Sequence, residues 1–310
     1  MNRTVVRESA DILDGALTES ITQLAREASI EINVQDARHL EASRAYLAPG
    51  KTIYVSHLPR QSWQQTTVAC QAVRAAGFEP VPHIAVRLLP DALAFDQLLA
   101  DLVRSAQVKE VLLVAGDYPE SAGPYAEVLD ALRSGLLQSN GLRRVSVAGH
   151  PEGHPQVALE EIQRAERDKA LFAAQVGLQL TFLTQFFFES APFLGWVSDM
   201  RSRGITARLV AGLAGPTKLT TLLKYALRCG AGSSMRVLKS TPAVFSKLLS
   251  DHGPEDVVRG LAQARSDGKS DFSGIHLFCF GGYLRTCEWL HAVAAGRFVL
   301  NDSDAFTVVR

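Results

Sequence analysis

The chain has 310 residues, 47% of them apolar, and its 32 Lys and Arg balance its 32 Asp and Glu. Charge parity leaves no basic stripe of the kind nucleic-acid readers carry, and no run of 18 apolar residues suggests a transmembrane helix, so neither nucleic acid nor a membrane is expected as a partner. Met1 to Asp14 is charged and lacks an apolar leader, and Cys70, Cys229, Cys279 and Cys287 form neither a C-x-x-C pair nor a zinc-spaced set, so reduced thiols and a cytoplasmic protein are expected.

In chain order, a helix is predicted over Glu8–Glu27, within an N-terminal extension of residues 1–28. Strands are predicted at Ser29–Val34, Thr52–Ser56, Glu79–Ala85, Val111–Gly116, Arg144–Ala148, Leu180–Gln185, Ala207–Ala211 and Ile275–Phe280. Helical patterns fill the gaps at Asp36–Tyr46, Trp63–Ala76, Pro90–Arg104, Pro124–Gln138, Val157–Val176, Phe193–Arg203, Lys218–Arg228 and Pro254–Arg265. Thr241–Ser250 is expected to add a helix, Arg285–Ala295 to form the last one, and a short tail to end the chain. Strands alternating with helices imply a parallel sheet with helical crossovers. Eight such units favour an α/β fold of one closed (β/α)₈ TIM barrel, with residues 1–310 as a single catalytic domain, over an open doubly wound sheet. The oligomeric state stays open, a homo-oligomer included.

In a barrel the chemistry sits at the carboxyl ends of the strands. On strand one, Ile30, Ile32 and Val34 suit the helix-facing side, which sends Ser29, Glu31 and Asn33 inward. An isolated carboxylate inside a barrel is costly unless paired or used, and desolvation would raise its pKa toward that of a general acid. Neighbouring amides or a cation satisfying Glu31 is the other reading. Strand three carries His83, and strand four ends in Gly116-Asp117, where the glycine permits close backbone approach and the aspartate reaches the mouth or caps a loop. After strand five, His150 and His154 stand four apart, but Pro151, Gly153 and Pro155 prevent the helix that would aim both at a metal. No metal site is expected; the loop is read as gripping a cofactor. Thr184-Gln185-Phe186-Phe187-Phe188 places an amide at a strand end among aromatics. Buried without a partner it would cost about 1–3 kcal/mol, so a ligand is expected to satisfy Gln185. Gly212 to Leu219 lacks phosphate-loop spacing, and no G-x-G-x-x-G follows a strand.

Taken in order, Glu31, Pro82-His83, Gly116-Asp117, Tyr125-Ala126, Pro151-Glu152-Gly153-His154-Pro155 and Thr184 to Phe188 resemble the methylenetetrahydrofolate reductases, in particular the short bacterial type, over roughly Ser29 to Leu290. The resemblance implies an FAD enzyme that uses NAD(P)H and interconverts 5,10-methylenetetrahydrofolate and 5-methyltetrahydrofolate. It assigns Glu31 to protonating the folate nitrogen, Asp117 to tuning flavin and pterin, and Gln185 and Tyr225 to binding folate, with Thr221 where a second folate glutamine stands. Flavin contacts carry over to Ser56, His83, Gly116, Asp117, Tyr125, Ala126, His154, Glu166 and Lys169. The chain departs from the pattern at Ala115, Ala173 and His57, where the family has arginine, lysine and tyrosine, and by an extra residue between Gly177 and Gln185. A flavin-independent NADH reductase and a non-catalytic folate-binding barrel are the alternatives.

Overall fold

The computed structural model describes residues 3–116, 118–218, 251–302 and 304–309. Among these, eight strands close into a parallel barrel: β1 (Ser29–Ile32), β2 (Thr52–Val55), β3 (Glu79–Ala85), β4 (Glu110–Val114), β5 (Arg144–Gly149), β6 (Gln179–Phe186), β7 (Arg208–Ala214) and β8 (Gly274–Phe278). Each strand pairs with its sequence neighbour and β8 closes on β1, through Ser29 opposite His276 and Ile30 opposite Leu277. The expected fold class is therefore the observed one.

The helices form where apolar spacing and capping agree. The helix α1 spans Arg3–Glu27, and α2 is a single turn at Leu40–Ser43. The next, α3 (Trp63–Ala75), starts at Ser62, whose hydroxyl accepts from the Gln65 amide while Gln65 reaches back, closing a capping box. In α4 (Ala92–Ala106), Phe95, Leu98, Leu99, Leu102 and Ala106 recur on one face and are all buried. Its carboxyl end turns through Gln107 at φ 51°. The shell continues with α5 (Val128–Arg133), α6 (Leu136–Ser139), α7 (Leu159–Gln175), α8 (Ser190–Ser202), α9 (Glu255–Ser266) and α10 (Tyr283–Ala294). Helix α1 packs on α9 and α10, burying Leu17, Ile21 and Leu24, and Ser20 Oγ donates to the Ala262 carbonyl at 2.9 Å.

Several elements differ from the expected ones. The helix expected over Asp36–Tyr46 is a 3₁₀ turn, Val34–His39, followed by α2. Asn33 does not line the barrel; it caps that turn by accepting the amides of Gln35 and Asp36. Pro124–Gln138 breaks into α5 and α6 because Gly135 takes φ 74° between them. Lys218 opens no helix but pairs, with Thr217, antiparallel to Asp251–His252. The tail is a hairpin, with Phe298–Leu300 antiparallel to Phe306–Val308. Helices expected over residues 219–228 and 241–250 lie outside the described residues.

Candidate active site

The barrel interior is built from inward positions of alternate residues, and several of these are polar. Ile30 and Ile32 pack outward with no more than 1% exposure, so Glu31 between them projects inward. From β3, His83 brings Nε2 to 3.3 Å from Glu31 Oε2, and from β8, His276 brings Nε2 to 4.0 Å. Behind His276, Nδ1 shares a hydrogen bond with Ser29 Oγ at 2.8 Å. The two Nε2 atoms facing Glu31 have no hydrogen-bond partner with good geometry among the described groups. The tautomer of His276 that donates from Nδ1 to Ser29 leaves an Nε2 lone pair facing the carboxyl.

Two effects compete over this cluster. The short carboxyl–imidazole approach favours an ion pair, whereas burial penalises both charges. Burial prevails. It pushes the Glu31 carboxyl up to about 8, helped by the negative charge of Asp36. It drives His83 down to about 3, helped by His57, and His276 down to about 3, helped by His83. One proton on the carboxyl and two neutral imidazoles bury no net charge. At neutral pH the cluster presents a protonated acid, with a side chain still 20% exposed.

Under this layer lies Tyr54 of β2, within an apolar ring of Val81, Leu112 and Leu183. On the carboxyl side, Phe186, Phe188, Phe278 and Phe280 form an aromatic wall in which Phe186 meets Phe280 edge-on at 5.0 Å. Phe280 sits at φ 44°, the left-handed region that a bulky side chain rarely adopts.

Gln185 corrects an expectation. Between Leu183 and Phe186, β6 has one residue more than its partner β7, and Thr184 Oγ1 accepts the Gly212 amide at 2.8 Å. This bulge leaves Phe186 buried at 2% and Gln185 exposed, so the amide is not buried and needs no ligand to satisfy it. It remains at the carboxyl end of its strand, where it can meet one. Phe186 pairs with Gly212 and Gly212 with His276, so the ladder joins this end to the Glu31 cluster.

The remaining expected residues fall into two groups. Ser56 Oγ donates to the Ile32 carbonyl at 3.0 Å, and Tyr125 does not open a helix but is buried edge-on against Phe95 at 5.5 Å. Glu166 is buried, with one oxygen accepting from Trp196 Nε1 at 2.9 Å and the other from Arg203 at 2.6 Å. By contrast, Ala126 and His154 are exposed, and Lys169 is half-buried, its ammonium pKa lowered by burial and partly restored by Glu166. Gly116 has φ +90°, and a Cβ there would lie 2.9 Å from the Tyr118 ring. Asp117, Thr221 and Tyr225 lie outside the described residues. His57 stacks on Trp63 with ring centroids 3.8 Å apart.

His150 and His154 meet edge to face at 5.6 Å, and burial takes His150 down to about 4. No group of three potential metal ligands occurs among the described residues. Beside this loop, a cleft of about 290 Å³ opens between α7 and α8, lined by His150, Glu166, Trp196, Asp199 and Arg203 among others. No described helix is long and apolar enough to cross a membrane. Two residues of the cluster escaped sequence reasoning: the imidazole of His276 and the ring of Tyr54. The available signal was a polar residue at an inward position, since Gly274, His276 and Phe278 alternate with the outward Ile275 and Leu277.

Residues 57–236 match the family model described as methylenetetrahydrofolate reductase. The chain is similar to "Methylenetetrahydrofolate reductase (NADH) 1" of Arabidopsis thaliana, 28% identical over 42% of this chain and 24% of that protein. It is also similar to the "Probable methylenetetrahydrofolate reductase (NADH)" of Oryza sativa subsp. japonica, 29% identical over 44% of this chain and 24% of that one. "Methylenetetrahydrofolate reductase 2" of Saccharomyces cerevisiae is 22% identical over 54% of this chain and 28% of its own length. The matches thus span about a quarter of those relatives' length.

Proposed function

The chain belongs to the methylenetetrahydrofolate reductase family, and on that premise we propose that it interconverts 5,10-methylenetetrahydrofolate and 5-methyltetrahydrofolate, with Glu31 as the acid. The observation that carries this reading is the inward Glu31 carboxyl set against the buried imidazoles of His83 at 3.3 Å and His276 at 4.0 Å, where burial raises its pKa. In the reducing direction Glu31 gives its proton to the folate nitrogen whose bond to the methylene carbon breaks. The five-membered ring opens to an iminium, and hydride added to that carbon completes the methyl group. The carboxylate so formed lies beside two neutral imidazoles, and a solvent proton reaching its 20% exposed side chain restores the acid. In the oxidising direction the same carboxyl takes the proton back as the ring closes. Either direction suits this site.

The hydride donor in this proposal is NADH, the nucleotide in the names of the two plant relatives. A bound FAD would supply the hydride-carrying chemistry between NADH and the folate carbon. Two of the exposed residues suit a flavin: His154 offers a donor or acceptor ring, and Ala126 leaves room for close approach. Gln185, exposed at the end of β6, is the described residue best placed to meet folate.

A second reading, direct transfer from NADH to folate without flavin, is favoured by the engagement of Tyr125 with Phe95 and of Glu166 with Trp196 and Arg203. The absorbance spectrum of the purified protein, followed by anaerobic titration with 5-methyltetrahydrofolate, separates the two. Flavin absorbance that bleaches supports the first reading. A colourless protein that still reduces methylene-folate with NADH supports the second, and absence of both activities refutes the function.

A further inference from the structure

Neither imidazole beside Glu31 is fixed by hydrogen bonds alone. His83 makes no hydrogen bond among the described groups apart from its approach to Glu31, and His276 has only Ser29. What both share is Tyr54. Its ring meets His276 at a centroid distance of 4.8 Å and an angle of 72°, and His83 at 6.0 Å and 77°. The ring is itself held from below. Its hydroxyl lies 3.0 Å from Ser146 Oγ and 3.5 Å from Glu110 Oε1, and Ser146 donates to the same carboxylate at 2.7 Å. Arg144 stands 3.7 Å from the other Glu110 oxygen at the amino-terminal end of the barrel. Leu112, Leu183 and Val81 surround the ring. The side chain is 5% exposed, so it also seals the floor under the acid.

We propose that Tyr54 is a positioning residue for the acid: its ring, anchored through Ser146 and Glu110, wedges His83 and His276 against Glu31 and keeps water from reaching the carboxyl through the barrel. An aromatic ring touching two imidazoles edge to face restricts their rotation as well as their position. Remove the ring, and each imidazole can turn its Nε2 away while water enters beneath the carboxyl. The inference rests on Glu31 being the acid of the proposed reaction.

The described titratable groups that face Glu31 are His83 from β3, His276 from β8, Asp36 from the turn after β1 and Cys279 at the end of β8. The test replaces Tyr54 alone and leaves these in place. Tyr54→Leu should lower kcat of the folate-dependent reaction by about 10- to 100-fold, with KM for folate and nicotinamide oxidation little changed. The basic limb of its pH profile should move acidward by about one unit or more, because a hydrated carboxyl ionises earlier. Tyr54→Phe loses the hydroxyl tether but keeps the ring among Val81, Leu112 and Leu183, and should hold kcat within about threefold of wild type. A purely structural role would lower the melting temperature without moving the pH limb.

Should the leucine variant fail to fold, Tyr54→Met fills most of the volume without a planar ring and is read in the same way. A leucine or methionine variant with the wild-type kcat and pH limb overturns the proposal. Glu31→Gln, assayed in parallel, separates the two layers. If it retains folate turnover, the acid assignment itself fails. If it abolishes turnover while the Tyr54 variants behave as wild type, only the positioning role fails.

Discussion

Replacing Glu31 by Gln tests the protonation state of the acid directly, through stability. The carboxyl rises from 4.5 to about 8 on folding, chiefly by burial. A group whose pKa is higher in the folded state contributes stability that is fully present below its unfolded pKa. That contribution is lost as pH rises toward the folded value. Each unit is worth about 1.4 kcal/mol, so about 3 kcal/mol is lost by pH 7, and the partial exposure of the side chain trims this to about 2–3 kcal/mol. Glutamine keeps the shape and cannot ionise. Urea unfolding of both proteins from about pH 5 to about pH 8 should therefore show the variant gaining on wild type by roughly 1 kcal/mol per unit. His83 and His276 act in the opposite direction: their lowered pKa values cost stability as pH falls through 6.5 toward 3. Because both imidazoles remain in the variant, the difference between the two profiles isolates the carboxyl. A difference that stays flat, or that favours wild type at high pH, would mean that Glu31 is ionised in the fold and is not the acid.

Gly212→Ala should destabilise the barrel by about 2–3 kcal/mol, read as the urea midpoint, because the new methyl meets the Thr184 carbonyl and approaches the Phe278 ring to 2.8 Å. A neutral outcome would show that the β6 bulge is not tightly seated on β7. Glu166→Gln should cost about 1–3 kcal/mol, since Arg203 loses its buried partner and keeps Asp199 at 2.8 Å. Cofactor affinity should change less than about threefold in that variant. A large loss of affinity at unchanged stability would place Glu166 at the cofactor and not in the α7–α8 ion pair.

The barrel was legible because its periodicities are local. Ile30 and Ile32 flank Glu31 at period two, and Phe95, Leu98, Leu99 and Leu102 repeat at helical spacing, so each element declares its buried face independently of its neighbours. Elements whose conformation depends on a single backbone choice were not legible in that way. Gly135 at φ 74° divides one helical pattern into two, and Asn33 turns away from the barrel because its side chain finds two amide donors in the next turn. Both are decided by competition between local hydrogen bonds and the pattern around them.

The site divides along the same line. Glu31 was readable from alternation alone, and its protonation follows from burial inside a barrel, a consequence of position. The expected burial of Gln185 fails because alternation assumes an uninterrupted ladder. One extra residue on β6 moves the amide out and the next ring in, and only the partner strand, with Gly212 offering its amide to Thr184, reveals that shift. His276 lies some 240 residues from Glu31 in sequence, so no local pattern could join them; closure of β8 onto β1 does. The chemistry thus depends on a long-range contact that only the closed barrel supplies. An acid made by burial needs the barrel closed around it, because an open sheet would hydrate Glu31 and return it to an ordinary carboxylate. Closure and acidity are, in this chain, one structural event.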